Sequence, residues 1–326
     1  MSNKPDAPLA LVIGATGGIG GAVAERLLAG GWRVRALHRD PDAARRTHGR
    51  AGLGWVKGDA MIEGQVLAAA QGARLIVHAA NPPGYRNWAG LAVPMLANTI
   101  AAAKATGARI LFPGNVYNFG PDAWPVAVEG AAQNPLTRKG RIRVQMEAAL
   151  ADSGAKVLIV RAGDFFGPTP GGNWLAQGLV KAGRPLTAVT YPGPLDRPHA
   201  WAWLPDLAET MVRLAERDDL AQVEVFHHRG HVLTGAELVE ALEAAAGRRL
   251  AVQKLPWFAL KALAPFNETF REMLEMRYLW DEALALDNAR LVARLGAEPH
   301  TPVVEALRAA LEGLGALPRR PEALAA

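Results

Sequence analysis

Apolar and polar positions alternate along the first two thirds of the chain in a regular rhythm. A run of five apolar residues at 9–13 leads into a glycine-dense stretch and then into the apolar, alanine-rich residues 22–29. Further short apolar runs at 32–37, 53–57, 74–78, 108–112 and 156–160 read as strands, and 222–226 resembles one more. Between them the pattern predicts helices after Pro41 and over 61–70, 88–106 and 136–151, with Gly107 placed as a helix cap. Strands separated by helices on this rhythm imply an α/β fold, a doubly wound parallel sheet covered on both faces. Ligands of such sheets bind beyond the carboxyl ends of the strands.

The second half changes character. Glycine and proline crowd together over 167–172, at Arg184-Pro185 and over 191–194, which marks loops that line or cover something. Asp206 is expected to cap a helix running to Glu216, Thr234-Gly-Ala-Glu237 is a capping-box pattern, and Thr301-Pro302 opens a final helix. The expected organisation is a dinucleotide-binding domain over 1–166, completed by about 201–229, and a smaller, mostly helical substrate lobe from 167–200 and 230–326.

Composition narrows the function classes. The 326 residues, 50% hydrophobic, suffice for a large core plus a smaller unit. No stretch approaches the roughly 20 continuous apolar residues of a membrane span, and Met1 to Asp6 lack a signal-peptide core, so a soluble, cytoplasmic protein is expected. With no cysteine, disulfides, thiolate catalysis and Cys-based metal sites are excluded. His227, His228 and His231 lie close together, but a strand end beside a loop accounts for them, and no metal site is expected. The net charge of +5 comes from dispersed basic residues apart from Arg138-Lys139-Gly-Arg141-Ile-Arg143, so an anionic small molecule is as good an explanation as a polynucleotide. The expected partner is a small-molecule substrate, not nucleic acid or membrane, and a homodimer stays open.

The strongest chemical signal is Gly14-Ala-Thr16-Gly17-Gly18-Ile19-Gly20, between an apolar strand and a helix. Gly14 permits a tight turn, Gly17 lets backbone N–H groups approach a pyrophosphate, and Gly20 lets the helix lie close on the strand. The helix N-terminus adds positive potential. A phosphate-bearing cofactor follows.

That motif, Gly58-Asp59 after the third strand, His78-Ala79-Ala80-Asn81 after the fourth, Arg161-Ala-Gly-Asp-Phe-Phe-Gly-Pro168 after the sixth and Trp203-Leu-Pro-Asp206 together resemble the extended or atypical short-chain dehydrogenases/reductases, the NAD-dependent epimerase/dehydratase group. The resemblance spans nearly the whole chain and implies a Rossmann-type fold and a nicotinamide dinucleotide. It also implies that Asp59 sits near the adenine and that Ala79 and Ala80 border the cofactor, with Asn81 beside them. At the end of the second strand the order is Leu37-His38-Arg39-Asp40. Arg39 could pair a 2′-phosphate in two-point fashion with help from His38, so NADP(H) is preferred over NAD(H).

Relatives usually carry a Ser or Thr after the fifth strand and a Tyr three residues ahead of a Lys on the next helix. Here Asn115 stands in the neighbourhood of the Ser, and counting back from Glu147 puts Arg143 at the Lys position and Lys139 at the Tyr position. Two cations at i and i+4 depress the pKa of the lysine, so Lys139 is one candidate proton donor and Tyr117 the other. Aromatic residues of the second half, among them Trp174, Tyr191, Trp201, Trp203, Trp257, Phe258, Phe266 and Tyr278, suit a planar or apolar carbonyl compound. The leading expectation is an NADP(H)-dependent oxidoreductase acting on a carbonyl or related unsaturated group. Two rivals stay open. One is a nucleotide-sugar epimerase or dehydratase with tightly bound NAD, its diphosphate held by Arg138, Lys139, Arg141 and Arg143. The other is a non-enzymatic dinucleotide sensor.

Overall fold

In the computed structural model, which describes residues 7–82, 87–169 and 171–319, the predicted alternation is realised. The first half runs β1 (Leu9–Ile13), α1 (Gly18–Ala29), β2 (Arg33–His38), α2 (Pro41–Thr47), β3 (Leu53–Lys57), α3 (Glu63–Ala70), β4 (Leu75–His78), α4 (Trp88–Thr106), β5 (Arg109–Asn115), β6 (Val126–Ala127), α5 (Arg138–Ala151) and β7 (Lys156–Ala162). It continues through β8 (Asp164–Phe166), β9 (Ala188–Tyr191), β10 (Pro198–Trp203), α6 (Leu204–Ala215) and β11 (Val223–His227). The C-terminal part adds β12 (His231–Thr234), α7 (Gly235–Ala246), β13 (Ala251–Lys254), α8 (Trp257–Leu263), α9 (Glu268–Glu275), α10 (Tyr278–Asp281), β14 (Ala285–Leu286), α11 (Ala289–Leu295) and α12 (Val303–Gly313).

Seven strands form one parallel sheet in the order β11-β7-β5-β4-β1-β2-β3. The chain winds outward from β1 to β3, then returns to β4 on the other side of β1, so the winding direction switches between β1 and β4. Ile13 is paired with both Leu37 and His78. The turns after β1, β2 and β4 therefore open at one level, where a doubly wound sheet binds its ligand. The register Val34↔Leu53 through His38↔Lys57 brings the ends of β2 and β3 together as well.

Alternation within a strand fills two cores. Leu11 and Ile13 point into one layer with Ile76, Ile110, Phe112 and Leu96. Ala10 and Val12 point into the other with Val23, Leu27, Leu207 and Met211. Both layers exclude water, which is why these strands are unbroken apolar runs. A third core, holding Phe166, Trp201, Trp203, Tyr191, Trp280, Leu242 and Leu311, lies under the β10, α7 and α12 segments.

Two helix starts differ from the sequence reading. Leu204-Pro205 opens α6 with Trp203 as its cap, so Asp206 lies inside the first turn. Its carboxylate instead accepts from Thr301 N at 2.6 Å and Thr301 Oγ1 at 2.8 Å, tying α6 to the segment before α12. Pro302 is the cap of α12 and not its first residue. The Thr234/Glu237 capping box and the Gly107 cap are present as predicted.

Candidate active site

The glycine turn has little freedom. Gly14 leaves β1 with φ of 97°, and a Cβ there would lie 2.6 Å from the carbonyl carbon and oxygen of Ala79. A Cβ on Gly20 would overlap the Gly14 carbonyl oxygen. Glycine is thus required where β1, α1 and the end of β4 approach backbone to backbone. Gly17 N donates to Gly14 O at 3.0 Å, and Gly17 caps α1 without a side-chain hydrogen bond. The first α1 amides lack intrahelical acceptors and face the opening. Thr16 is half-buried beside them.

At the ends of β2 and β3, Asp40 N donates to His38 Nδ1 at 3.0 Å, and the imidazole packs edge-on against Trp55. Arg39 is exposed. Asp40 caps α2, accepting from Ala43 N at 2.9 Å. Gly58 N donates to His38 O, a Cβ on Gly58 would lie 2.5 Å from Leu37 Cδ1, and Asp59 accepts from Met61 N at 3.0 Å. Arg50, which the sequence reading passed over, reaches back to the glycine turn: Nη1 donates to Ala15 O at 3.1 Å and Nε pairs with Glu25. It sits before β3 with no motif around it.

A cleft of 210 Å³ opens at the switch point. Its walls bring together nine of the predicted residues: Gly17, Gly18, Ile19, Ala79, Ala80, Asn81, Asn115, Tyr117 and Arg143. Asp164, Phe165, Asn173 and Trp174 complete much of the same wall. Gly14, Thr16 and Gly20 are absent from the wall, where Gly14 and Gly20 shape the turn; His38, Arg39, Gly58 and Asp59 lie at the neighbouring strand ends.

Arg143 is 8% exposed, its Nη2 donates to Pro113 O at 2.5 Å, and its guanidinium lies 4.5 Å from the Phe112 ring centroid. Burial lowers its pKa to about 10, opposed by Glu147 and Tyr117, so it stays charged at neutral pH. Its Nε has no hydrogen-bond partner among the described residues. Asn115 Oδ1 accepts from Tyr117 N at 3.0 Å, which folds the chain after β5 so that both side chains border the cleft.

Lys139 is placed elsewhere. It is 1% exposed, its Nζ pairs with Glu272 and lies 3.7 Å from Glu275 Oε2 on α9, and it is absent from the cleft wall. The i, i+4 reading overlooked these carboxylates, which engage the lysine in ion pairs off the cleft wall. The basic cluster does not converge on one ligand either. Arg138 joins Lys139 at Glu272, Arg141 Nη1 reaches Leu136 O at 3.5 Å, and Arg143 faces the cleft alone.

His78 is a second residue the sequence reading left without a role. Thr99 Oγ1 donates to Met95 O at 3.1 Å, so it accepts from His78 Nδ1 at 2.7 Å. Burial lowers the His78 pKa to about 3, which leaves Nε2 as an acceptor without a partner among the described residues. Of the aromatic candidates, Trp174 lines the cleft, Tyr191, Trp201 and Trp203 are core, and Phe258 and Phe266 are 80% and 90% exposed.

A family model described as NAD(P)H-binding matches residues 14–181, more than half of the chain, a segment that holds the glycine turn, five of the seven strands of the sheet and most of the cleft wall. The chain belongs to the NAD(P)H-binding family. Its fold is that of the epimerase/dehydratase-like, extended short-chain dehydrogenases/reductases. UDP-glucose 4-epimerase from Bifidobacterium longum, solved with NAD+ and UDP, superposes with a TM-score of 0.71 at 16% identity, covering 95% of this chain and 100% of that one. UDP-glucose 4-epimerase from Brucella ovis, solved with NAD, gives 0.70 at 18% identity over 95% and 99%. The Bordetella bronchiseptica enzyme WbmH, solved with NAD+, gives 0.67 at 20% identity over 94% and 98%. A search of curated protein sequences finds no match.

The cleft fits such a dinucleotide on its own geometry. The glycine cradle is closed to any side chain at Gly14 and Gly20, and two buried polar atoms on the wall, Arg143 Nε and His78 Nε2, lack partners among the described residues. A buried polar group of this kind calls for a ligand or water.

Among the described residues no helix is long and apolar enough to cross a membrane.

Proposed function

We propose that this protein is an NADP(H)-dependent oxidoreductase that moves hydride between the cofactor and a carbon–oxygen centre of a small organic molecule. One observation carries the reading: the glycine turn, the Ala79–Asn81 wall and the Asn115, Tyr117 and Arg143 side chains border a single cleft that the aromatic lobe closes through Trp174.

When bound, the nicotinamide supplies or accepts the hydride. Gly18 and Ile19 would hold the diphosphate by their amides, with Gly17 leaving space for its approach and Ala79 and Ala80 leaving room beside it. Arg39, exposed at the end of β2, would pair a 2′-phosphate. Asn115 and Tyr117 would hydrogen-bond the substrate oxygen, and the Arg143 charge, held by Pro113 O and Phe112, would favour negative charge developing on it. Calorimetry with NADPH and NADH, followed by cofactor absorbance with a panel of carbonyls and alcohols, tests this. Binding of NADPH with turnover of a panel member is the expected outcome; failure to bind either dinucleotide overturns it.

A nucleotide-sugar epimerase is the second reading, favoured by the near-complete overlap with epimerases solved with NAD. It predicts NAD(H) that copurifies with the protein and a melting-temperature rise on adding UDP- or GDP-sugars.

A further inference from the structure

Asp164 begins β8 and borders the cleft that Asn115, Tyr117 and Arg143 also line. Its Oδ2 lies 2.8 Å from His199 Nε2 on β10. The other ring nitrogen, His199 Nδ1, lies 3.0 Å from the carbonyl oxygen of Leu279. A carbonyl oxygen only accepts, so Nδ1 carries a hydrogen, and the contact between Nε2 and the carboxylate requires another. The pair thus holds one proton more than a neutral imidazole with a carboxylate. His199 stacks flat on Trp280, centroids 4.1 Å apart and planes 6° from parallel, which suits a ring bearing positive charge. Among the described residues only Oδ2 of this carboxylate takes a hydrogen bond, and the side chain keeps 11% of its surface exposed. Its second oxygen is free for a substrate.

Within the hydride-transfer reading, on which this inference rests, we propose that Asp164 is the base that takes the hydroxyl proton of an alcohol substrate as its carbon gives up hydride, with His199 as the positioning residue. The O–H bond breaks and its proton passes to Asp164 Oδ1. The pair left on oxygen becomes the second C–O bond, while the C–H pair leaves as hydride to the oxidised nicotinamide, the two-electron acceptor. Asp164 then loses its proton to water, and carbonyl reduction runs through the same atoms in reverse. His199, donating to Oδ2, keeps Oδ1 aimed at the cleft and stabilises the carboxylate that reduction leaves behind. Asp164 also interacts electrostatically with Tyr278, whose phenol is pushed well up by burial and further by Asp164 and Glu275, and so stays neutral. No Lys or Arg of the described cleft wall other than Arg143 could substitute for the pair as a proton carrier.

The test compares the natural protein with Asp164→Asn, Asp164→Glu and His199→Gln. Nitrogen-15 NMR of the free protein at neutral pH is expected to show two ring protons on His199, and one after Asp164→Asn; one ring proton in the natural protein overturns the proposal. In single-turnover mixing of an alcohol panel with the oxidised dinucleotide, Asp164→Asn is expected to slow the hydride step by about 100-fold or more. Dinucleotide affinity should hold, Asp164→Glu should restore part of the rate, and His199→Gln should displace the pH–rate profile. An unchanged rate in Asp164→Asn, with the natural protein active, overturns the proposal alone. Dinucleotide binding without turnover of any panel member by the natural protein overturns the functional reading and this inference with it.

Discussion

Glu147 on α5 and Arg161 on β7 form a two-point ion pair inside the protein. Arg161 Nη2 donates to Glu147 Oε2 at 2.7 Å and Nε donates to the same oxygen at 3.1 Å, with the two side chains 2% and 5% exposed. Arg161 Nη1 also donates to Glu129 O at 3.2 Å, and the guanidinium lies 5.2 Å from the Phe119 centroid. The pair fixes the helix that carries Arg143 against the strand that leads to Asp164. Removing one partner leaves the other charge buried, so Glu147→Ala is expected to cost about 3–5 kcal/mol. Urea unfolding checks it, and the double change Glu147→Leu with Arg161→Met should cost less than the single one.

Lys139→Met should separate structure from chemistry. The lysine's Nζ is paired with the Glu272 carboxylate, itself 5% exposed, so the methionine would leave a nearly buried anion without its main cation. Arg138 still contacts Glu272, which keeps the expected loss near the lower end, about 3 kcal/mol. Lys139 lies off the cleft wall, so turnover per folded molecule should be retained. Abolished turnover with unaltered unfolding would restore the lysine as proton donor.

The half of the fold that binds dinucleotide was legible because its physics is local. Strands buried on both faces, such as Leu9–Ile13, must be apolar throughout, and the glycines between strand and helix are dictated by backbone contact at Gly14 and Gly20. The rest depends on partners distant in sequence. Lys139 looks like a cleft residue until α9, more than a hundred residues on, brings Glu272 to it. Asp206 carries the residue type of a cap, yet Trp203 and Pro205 start α6 earlier and the carboxylate goes to Thr301. Likewise β8 pairs with β10 and β9 with β13, three- to six-residue partners that no periodicity announces. The Asp164–His199 contact is of this kind.

Acid should destabilise the fold through its buried histidines. Burial lowers the pKa of His78 and His227 from 6.5 to about 3 and that of His231 to about 4. For each, the unfolded chain binds a proton at a higher pH than the folded one. Stability is therefore level above about pH 7 and falls as pH drops from 6.5 toward 4, by up to about 1.4 kcal/mol per pH unit for each histidine. Urea unfolding at pH 7.5, 6 and 5 should show the fall, and His227→Asn should flatten it by roughly one histidine's share. Stability that rises as pH drops would contradict the burial of these rings.

Arg39 and Arg50 should separate under substitution. Arg39 is exposed just after β2, where in the proposed reading its charge would meet a 2′-phosphate, whereas Arg50 is committed to Ala15 O and Glu25 at the glycine turn. A charge-assisted contact to phosphate contributes about 1.5–3 kcal/mol, so Arg39→Glu is expected to weaken NADPH binding by roughly 10- to 100-fold or more and NADH binding by less than about threefold. The NADPH loss should shrink as salt rises, because the exposed charges are screened. Arg50→Gln acts on the turn proposed to hold the diphosphate common to both cofactors, and should weaken both by a similar factor. Calorimetry of the two dinucleotides against the natural protein and both variants reads all of this in one series. Equal losses in Arg39→Glu would remove the NADP(H) assignment and leave the glycine turn as the whole basis of binding.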